Sequence, residues 1–117
     1  MTVSEARAFA SHLGVEADDS GWSYRVCALI EEGDVPRVKV GQVVVVTADA
    51  VPNREFLGQV AVVVPRTRKR SIRSGAPGGY RDVSFREVLI DLQNPHDLAL
   101  NMRIHTRILI SSTEEAR

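Results

Sequence analysis

Asp34-Val35-Pro36-Arg37-Val38-Lys39-Val40-Gly41-Gln42-Val43-Val44-Val45-Val46-Thr47-Ala48-Asp49-Ala50 sets three structural instructions into seventeen residues. Asp34 ahead of Val35-Pro36 reads as the cap of a one-turn helix, with proline early in the turn where its missing N–H costs nothing. Gly41 supplies a tight turn. Val43 to Ala48 is then an almost unbroken β-branched strand, and a second strand, Phe56 to Val64, follows at once. Both are valine-rich and alternate poorly, as strands covered on both faces do. Between them, Asp49-Ala50-Val51-Pro52-Asn53-Arg54 supplies turn formers and a proline that stops the ladder.

Working outward, three more segments read as strands. Trp22 to Ile30 begins with Trp22, Tyr24, Val26 and Ala28 on one side and Ser23, Arg25 and Cys27 on the other. Ser84 to Leu92 and Met102 to Ile110 follow, joined through Gln93-Asn94-Pro95-His96-Asp97. Short strands in this number, with little helix, predict a mainly β fold: a small closed or partly open antiparallel β-barrel of about five to six strands. Its expected core is Val44, Val46, Val60, Val62, Val88, Ile90, Ile104 and Ile108, with Trp22, Tyr24 or Phe56 filling an end. A one-residue slip of register would exchange the inward and outward sets.

Ahead of the barrel, Ser4 to Leu13 reads as a short amphipathic helix. Ser4 caps it, Glu5 favours its dipole, Ala6, Phe9, Ala10 and Leu13 recur at helical spacing, and Gly14 ends it. Asp18-Asp19-Ser20-Gly21 reads as a linker. The expected organisation is therefore an N-terminal helix and linker over 1–21, a β-barrel domain over 22–111 and a tail over 112–117.

The 117 residues support one domain. Fifteen Lys plus Arg balance fifteen Asp plus Glu, so net charge does not draw the chain to nucleic acid or an anionic membrane. The single cysteine, Cys27, forms no internal disulfide, offers no metal spacing and reads as a small buried hydrophobe. The first residues do not read as a signal peptide, and no apolar run reaches the length of about 18 residues that spans a bilayer.

One local charge feature stands out. Arg66, Arg68, Lys69, Arg70 and Arg73 place five cations in eight residues, ahead of Ser74-Gly75-Ala76-Pro77-Gly78-Gly79. A loop of this size in a compact domain is usually functional or disordered, and a protein-docking arm is the favoured reading. An anion or nucleic-acid patch is the rival, weakened because no aromatic residue interleaves the cations to stack bases. The plain structural reading is a solvated hairpin arm. The glycines do not form a phosphate loop, which needs a helix next where this chain has a strand. His12, His96 and His105 sit in separate segments with no partner at ligand spacing. Glu31, Glu32 and Asp34 read as caps of the helical turn, and Ser111-Ser112 has no neighbouring base. The chain is expected not to be an enzyme and to need no cofactor or metal.

These residues carry a resemblance. Ala28-Leu29-Ile30-Glu31-Glu32-Gly33-Asp34-Val35 leads to Val38-Lys39-Val40-Gly41-Gln42, then Val43 to Ala50, Pro52, Arg54-Glu55-Phe56 and Gly58-Gln59-Val60. Later come Asp82-Val83, Arg86-Glu87-Val88-Leu89-Ile90-Asp91-Leu92, Asp97-Leu98 and Asn101-Met102-Arg103-Ile104. In order and spacing these pieces, from about Tyr24 to Ile110, resemble the membrane-fusion (adaptor) proteins of the HlyD type. The basic segment before Pro77 resembles the subgroup that works with ABC-type exporters.

The resemblance implies a non-catalytic β-barrel domain, on the periplasmic side of the cell envelope, that helps adaptor copies link an inner-membrane transporter to an outer channel. Its strand-end loops would contact the transporter or a neighbouring copy. Leu100-Asn101-Met102 stands where the family usually has Pro-Gly-Met, and Asn tolerates the positive φ such a turn needs. No membrane anchor, coiled-coil hairpin or lipoyl-like half-motif accompanies the barrel, so a truncated, excised or recombined domain is expected. The alternative is a cytoplasmic β-barrel that binds nucleic acid or another polyanion through residues 66–73, with a steep salt dependence.

Overall fold

A computed structural model describes residues 3–18, 21–73, 75, 77–93, 98 and 102–111. Seven strands carry almost all of the chain: β1 (Val3–Arg7), β2 (Ala10–Asp18), β3 (Gly21–Glu31), β4 (Val43–Ala48), β5 (Val51–Arg73), β6 (Tyr80–Leu92) and β7 (Arg103–Ser111). They form one antiparallel sheet in the order β1-β7-β2-β3-β6-β5-β4, which a further β7–β4 pairing bends into a ring of six strands. Closure removes the sheet edges that β2, β7 and β4 would otherwise expose. The ring is not a regular barrel. Only Ser11↔Ile104 and His12↔Arg103 join β2 to β7, and the β5 ladders shift register three times.

The mainly β barrel-like fold expected from the valine-rich strands is therefore what forms, with closure through six strands. Its core holds Val44, Val46, Val60, Val88, Ile90, Ile104 and Ile108, all buried as expected, together with Val26, Ile30 and Ile110. Val62 is a correction: it is 37% exposed. Val60 pairs with Ile90 but Val62 with Leu89, so a bulge inserts one residue and turns Val62 outward. Of the expected end-fillers, Phe56 is buried and Tyr24 is exposed. The Trp22 side chain, the His96 turn, Asn101 and Ser112 lie outside the described part.

The expected N-terminal helix is also corrected. Ser4 to Leu13 lies in β1 and β2, with Ala6, Ser11 and Leu13 buried while Arg7 and His12 face out. As a ten-residue helix this segment would satisfy only itself, and marginally. As two strands it fills the open edges of β3 and β7. The strands switch partner between Ala8, whose N–H donates to the Thr106 carbonyl (3.0 Å), and Phe9, whose N–H donates to the Leu29 carbonyl (2.8 Å). The buried Ser11 and Thr106 hydroxyls join across this kink at 2.9 Å. Gly14 continues β2 opposite Arg25 and ends no helix. Asp19 and Ser20 of the expected linker lie outside the described part, flanked by the hairpin pair Asp18↔Gly21.

The opening stretch folds nearly as read. A 3-10 helix spans Glu32–Arg37 with Pro36 inside it. Its cap is Glu31, so Asp34 sits within the first turn and lies 3.9 Å from Arg37. Gly41 takes a φ of 94°, in the left-handed region where only glycine is unstrained. Gln42 then locks the turn: its Oε1 accepts from the Lys39 N–H (2.9 Å) and its Nε2 donates to the Arg37 carbonyl (3.0 Å). The hairpin from β4 to β5 turns on Asp49-Ala50, and Pro52 lies in β5, within a stretch looped out between the Ala48↔Val51 and Val46↔Phe56 pairs.

A cationic ribbon and the cleft beneath it

The basic segment is not a loop. β5 and β6 pair without a break from Thr67↔Arg86 to Arg73↔Tyr80; β3 accompanies them at Arg86 and Phe85, and from Lys69↔Ser84 they run past the ring as a two-stranded ribbon. Pro77 and Gly78 form a turn at its tip, Gly78 with a φ of 68°. An isolated two-stranded ribbon is marginal in water, so this one needs bracing. It has two braces. On one face Glu32 accepts from Arg86 (2.9 Å) and Thr67 (3.4 Å), tying the ribbon's root to the 3-10 helix. On the other face Leu29, Val83 and Phe85 form a second small apolar cluster, joined by Ile72 and separate from the ring's core. Further out, Ser71 donates to Asp82 across the strands at 2.8 Å.

Strand alternation divides the five cations singled out from the sequence. Arg68 and Arg70 stand opposite Phe85 and Val83, on the face that carries the apolar cluster. Lys69 stands opposite Ser84 on the reverse face, and Arg73 pairs with Tyr80 near the tip. Arg66 is exposed where β5 leaves the ring, inside a register shift. The five cations therefore do not make one patch.

Arg68 and Arg70 instead meet residues from four other strands. A cleft of about 400 Å³ opens between the ribbon and the outer wall of the ring, with Arg68, Arg70 and Arg103 among its lining residues. His12, His105, Cys27 and Leu29 also line it, as does Phe9 at the β1–β2 kink. Phe9 is 52% exposed yet stacks on the buried Phe85, with ring centroids 4.9 Å apart. Glu87 is the one carboxylate in the lining and lies 3.7 Å from Arg68. Among the described residues, neither Arg70 nor Arg103 has an ion-pair partner. The cleft is thus cationic at its rim and partly apolar on its floor.

The sequence pointed to Arg68 and Arg70 but missed Arg103, Glu87, Phe9 and the meeting of His12 with His105. Period-two alternation across residues 66–73 would have separated Lys69 from its neighbours, had the segment been read as a strand. The rest depends on the ring bringing distant strands together. Among the described residues, no three His, Cys, Asp or Glu side chains gather as metal ligands. Nor, among them, is any helix long and apolar enough to cross a membrane.

No family model matches the sequence, and no curated protein matches it. The fold is similar to the solved structure of the membrane fusion protein Spr0693 from Streptococcus pneumoniae R6, with a TM-score of 0.56 at 16% sequence identity. The likeness covers 74% of this chain and 33% of that one, so the chain spans about a third of the length of the protein it resembles. At that identity the likeness establishes a shared fold.

Proposed function

We infer that the chain is a non-catalytic β-barrel module of an HlyD-type membrane-fusion adaptor, working in the cell envelope with an ABC-type or related export pump. The observation that carries this is the fold shared with a membrane fusion protein, on a chain whose sequence pieces resemble that family in order and spacing. Its task is protein–protein assembly, and the braced cationic ribbon is the arm that docks. Arg66, Arg68, Lys69, Arg70 and Arg73 are offered there to a transporter or a neighbouring copy. A ribbon held at its root presents its side chains already ordered, which lowers the entropic cost of docking.

The test is a photo-crosslinking residue at position 69 of the full-length protein in its native cell. Adducts with an integral-membrane transporter or a second copy are expected. Adducts with RNA or DNA alone would favour the polyanion reading, and so would a binding constant for nucleic acid that falls steeply with salt.

A further inference from the structure

The ribbon's two faces present different chemistry to a partner. The reverse face carries Lys69 among polar neighbours, as a solvated surface does. The cleft face sets Arg70 and Arg103 around Leu29 and Phe9, and its single carboxylate is already beside Arg68. Two guanidiniums without ion-pair partners among the described residues can each take a carboxylate through two parallel hydrogen bonds. An exposed aromatic beside arginines, over an apolar floor, is also the composition found at the energetic centres of protein interfaces.

A cleft of about 400 Å³ lies near the lower end of the size range for ligand sites, enough for a few side chains. A nucleic-acid strand would engage cations along a continuous track, and alternation has instead sent Lys69 to the far side. Charge complementarity and the apolar floor together select a peptide.

We propose that this cleft receives an extended acidic segment of a partner protein, one carboxylate engaging Arg70, another engaging Arg103, and an apolar side chain seated on Phe9 and Leu29. The proposal rests on the docking reading above and names the chemistry that the arm recognises. Lys69 contributes only diffuse attraction, and the recognition belongs to the inner face.

The test uses the whole chain and fluorescent synthetic peptides with glutamate, leucine and glutamate at alternate positions, Glu-Ser-Leu-Ser-Glu, so that an extended chain turns all three to one face, at physiological salt. Binding is followed by anisotropy and by amide chemical shifts. The Glu-Ser-Leu-Ser-Glu peptide should bind and move the amides of His12, Cys27 and Arg103. Exchanging its glutamates for glutamine, or making Arg70→Gln or Arg103→Gln, should weaken binding about tenfold, and exchanging leucine for serine about fivefold. Lys69→Gln should change it less than about twofold.

Equal losses from Lys69→Gln and Arg70→Gln would overturn the proposal, since the attraction would then be unspecific. Indifference to the leucine, or no binding at all, would overturn it too. The same amides shifting with protein concentration alone would assign the cleft to a second copy and reject a foreign peptide. Crosslinking from position 69 reports separately on the adaptor reading. A peptide-blind cleft with transporter adducts refutes the cleft, whereas a peptide-binding cleft without adducts refutes the adaptor.

Discussion

The ring and the ribbon share two strands, β5 and β6, yet they are held together by different physics. Inside the ring, β5 and β6 contribute Val60, Val88 and Ile90 to a core that six strands seal, and burial of apolar area carries the stability. Beyond the register shift between Val63 and Thr67, β6 keeps β3 only as far as Arg86 and Phe85, and from Lys69↔Ser84 outward the two strands have no other neighbour among the described residues. What remains is a ladder, one ion pair to Glu32, and an apolar cluster of Leu29, Val83, Phe85 and Ile72. The ring therefore spends its side chains on folding, while the ribbon leaves most of its own available for contact. A binding surface placed on the second region can change without unfolding the first.

The sharpest probe of this division lies at two valines two residues apart. Val60→Asp puts an unpaired charge into the sealed core and should cost at least about 4 kcal/mol, enough to unfold a marginal domain. Val62→Asp, beyond the bulge, should cost less than about 1 kcal/mol. Urea denaturation of the two variants decides it, and equal losses would mean that the bulge is misplaced.

Phe85→Ala comes next, at about 3 kcal/mol for a large buried side chain. Its effect should be local. Trypsin should cut at Arg68, Lys69 and Arg70 much faster than in the parent protein, with the ring's tertiary circular dichroism kept. Simultaneous loss of both signals would make ring and ribbon one cooperative unit.

Gly58→Ala should cost about 2 kcal/mol, because a Cβ there would press into the Asp91 carbonyl of β6. A fully stable Gly58→Ala, by thermal melting, would deny that close approach. Smallest of all, Arg70→Gln or Lys69→Gln should move stability by no more than about 0.5 kcal/mol, being exposed positions. A larger change in melting point would make either cation part of the fold, leaving it no longer free to dock.

The same division explains how far the residues alone could be read. Val43 to Ala48 and most of the core were readable because β-branched runs favour strands and a closed sheet buries their inward side; the cover on both faces that the runs suggested is not there, since Val43 and Leu57 are exposed. Val62 was not, because a bulge depends on the partner strand as much as on the strand itself. Ala6, Phe9, Ala10 and Leu13 fit helical spacing, but the edge of β7 that holds the segment as strands lies far off in sequence, and that of β3 is reached only across a hairpin. For the ribbon, composition was informative and conformation was not. Arg66 to Arg73 has only Ile72 to reveal an apolar face, so alternation had little to register. The cleft needed Arg103, His12 and Phe9 from other strands, and only closure of the ring brings them to Arg70.

Native-state hydrogen exchange under increasing urea tests the separation of a sealed ring from a locally braced ribbon. Amides of Val44, Val60, Val88 and Ile108 should exchange only through global unfolding, with the full denaturant slope. Amides from Thr67 to Ile72 should open at a lower free energy and with a shallow slope. A single shared opening for both sets would contradict it.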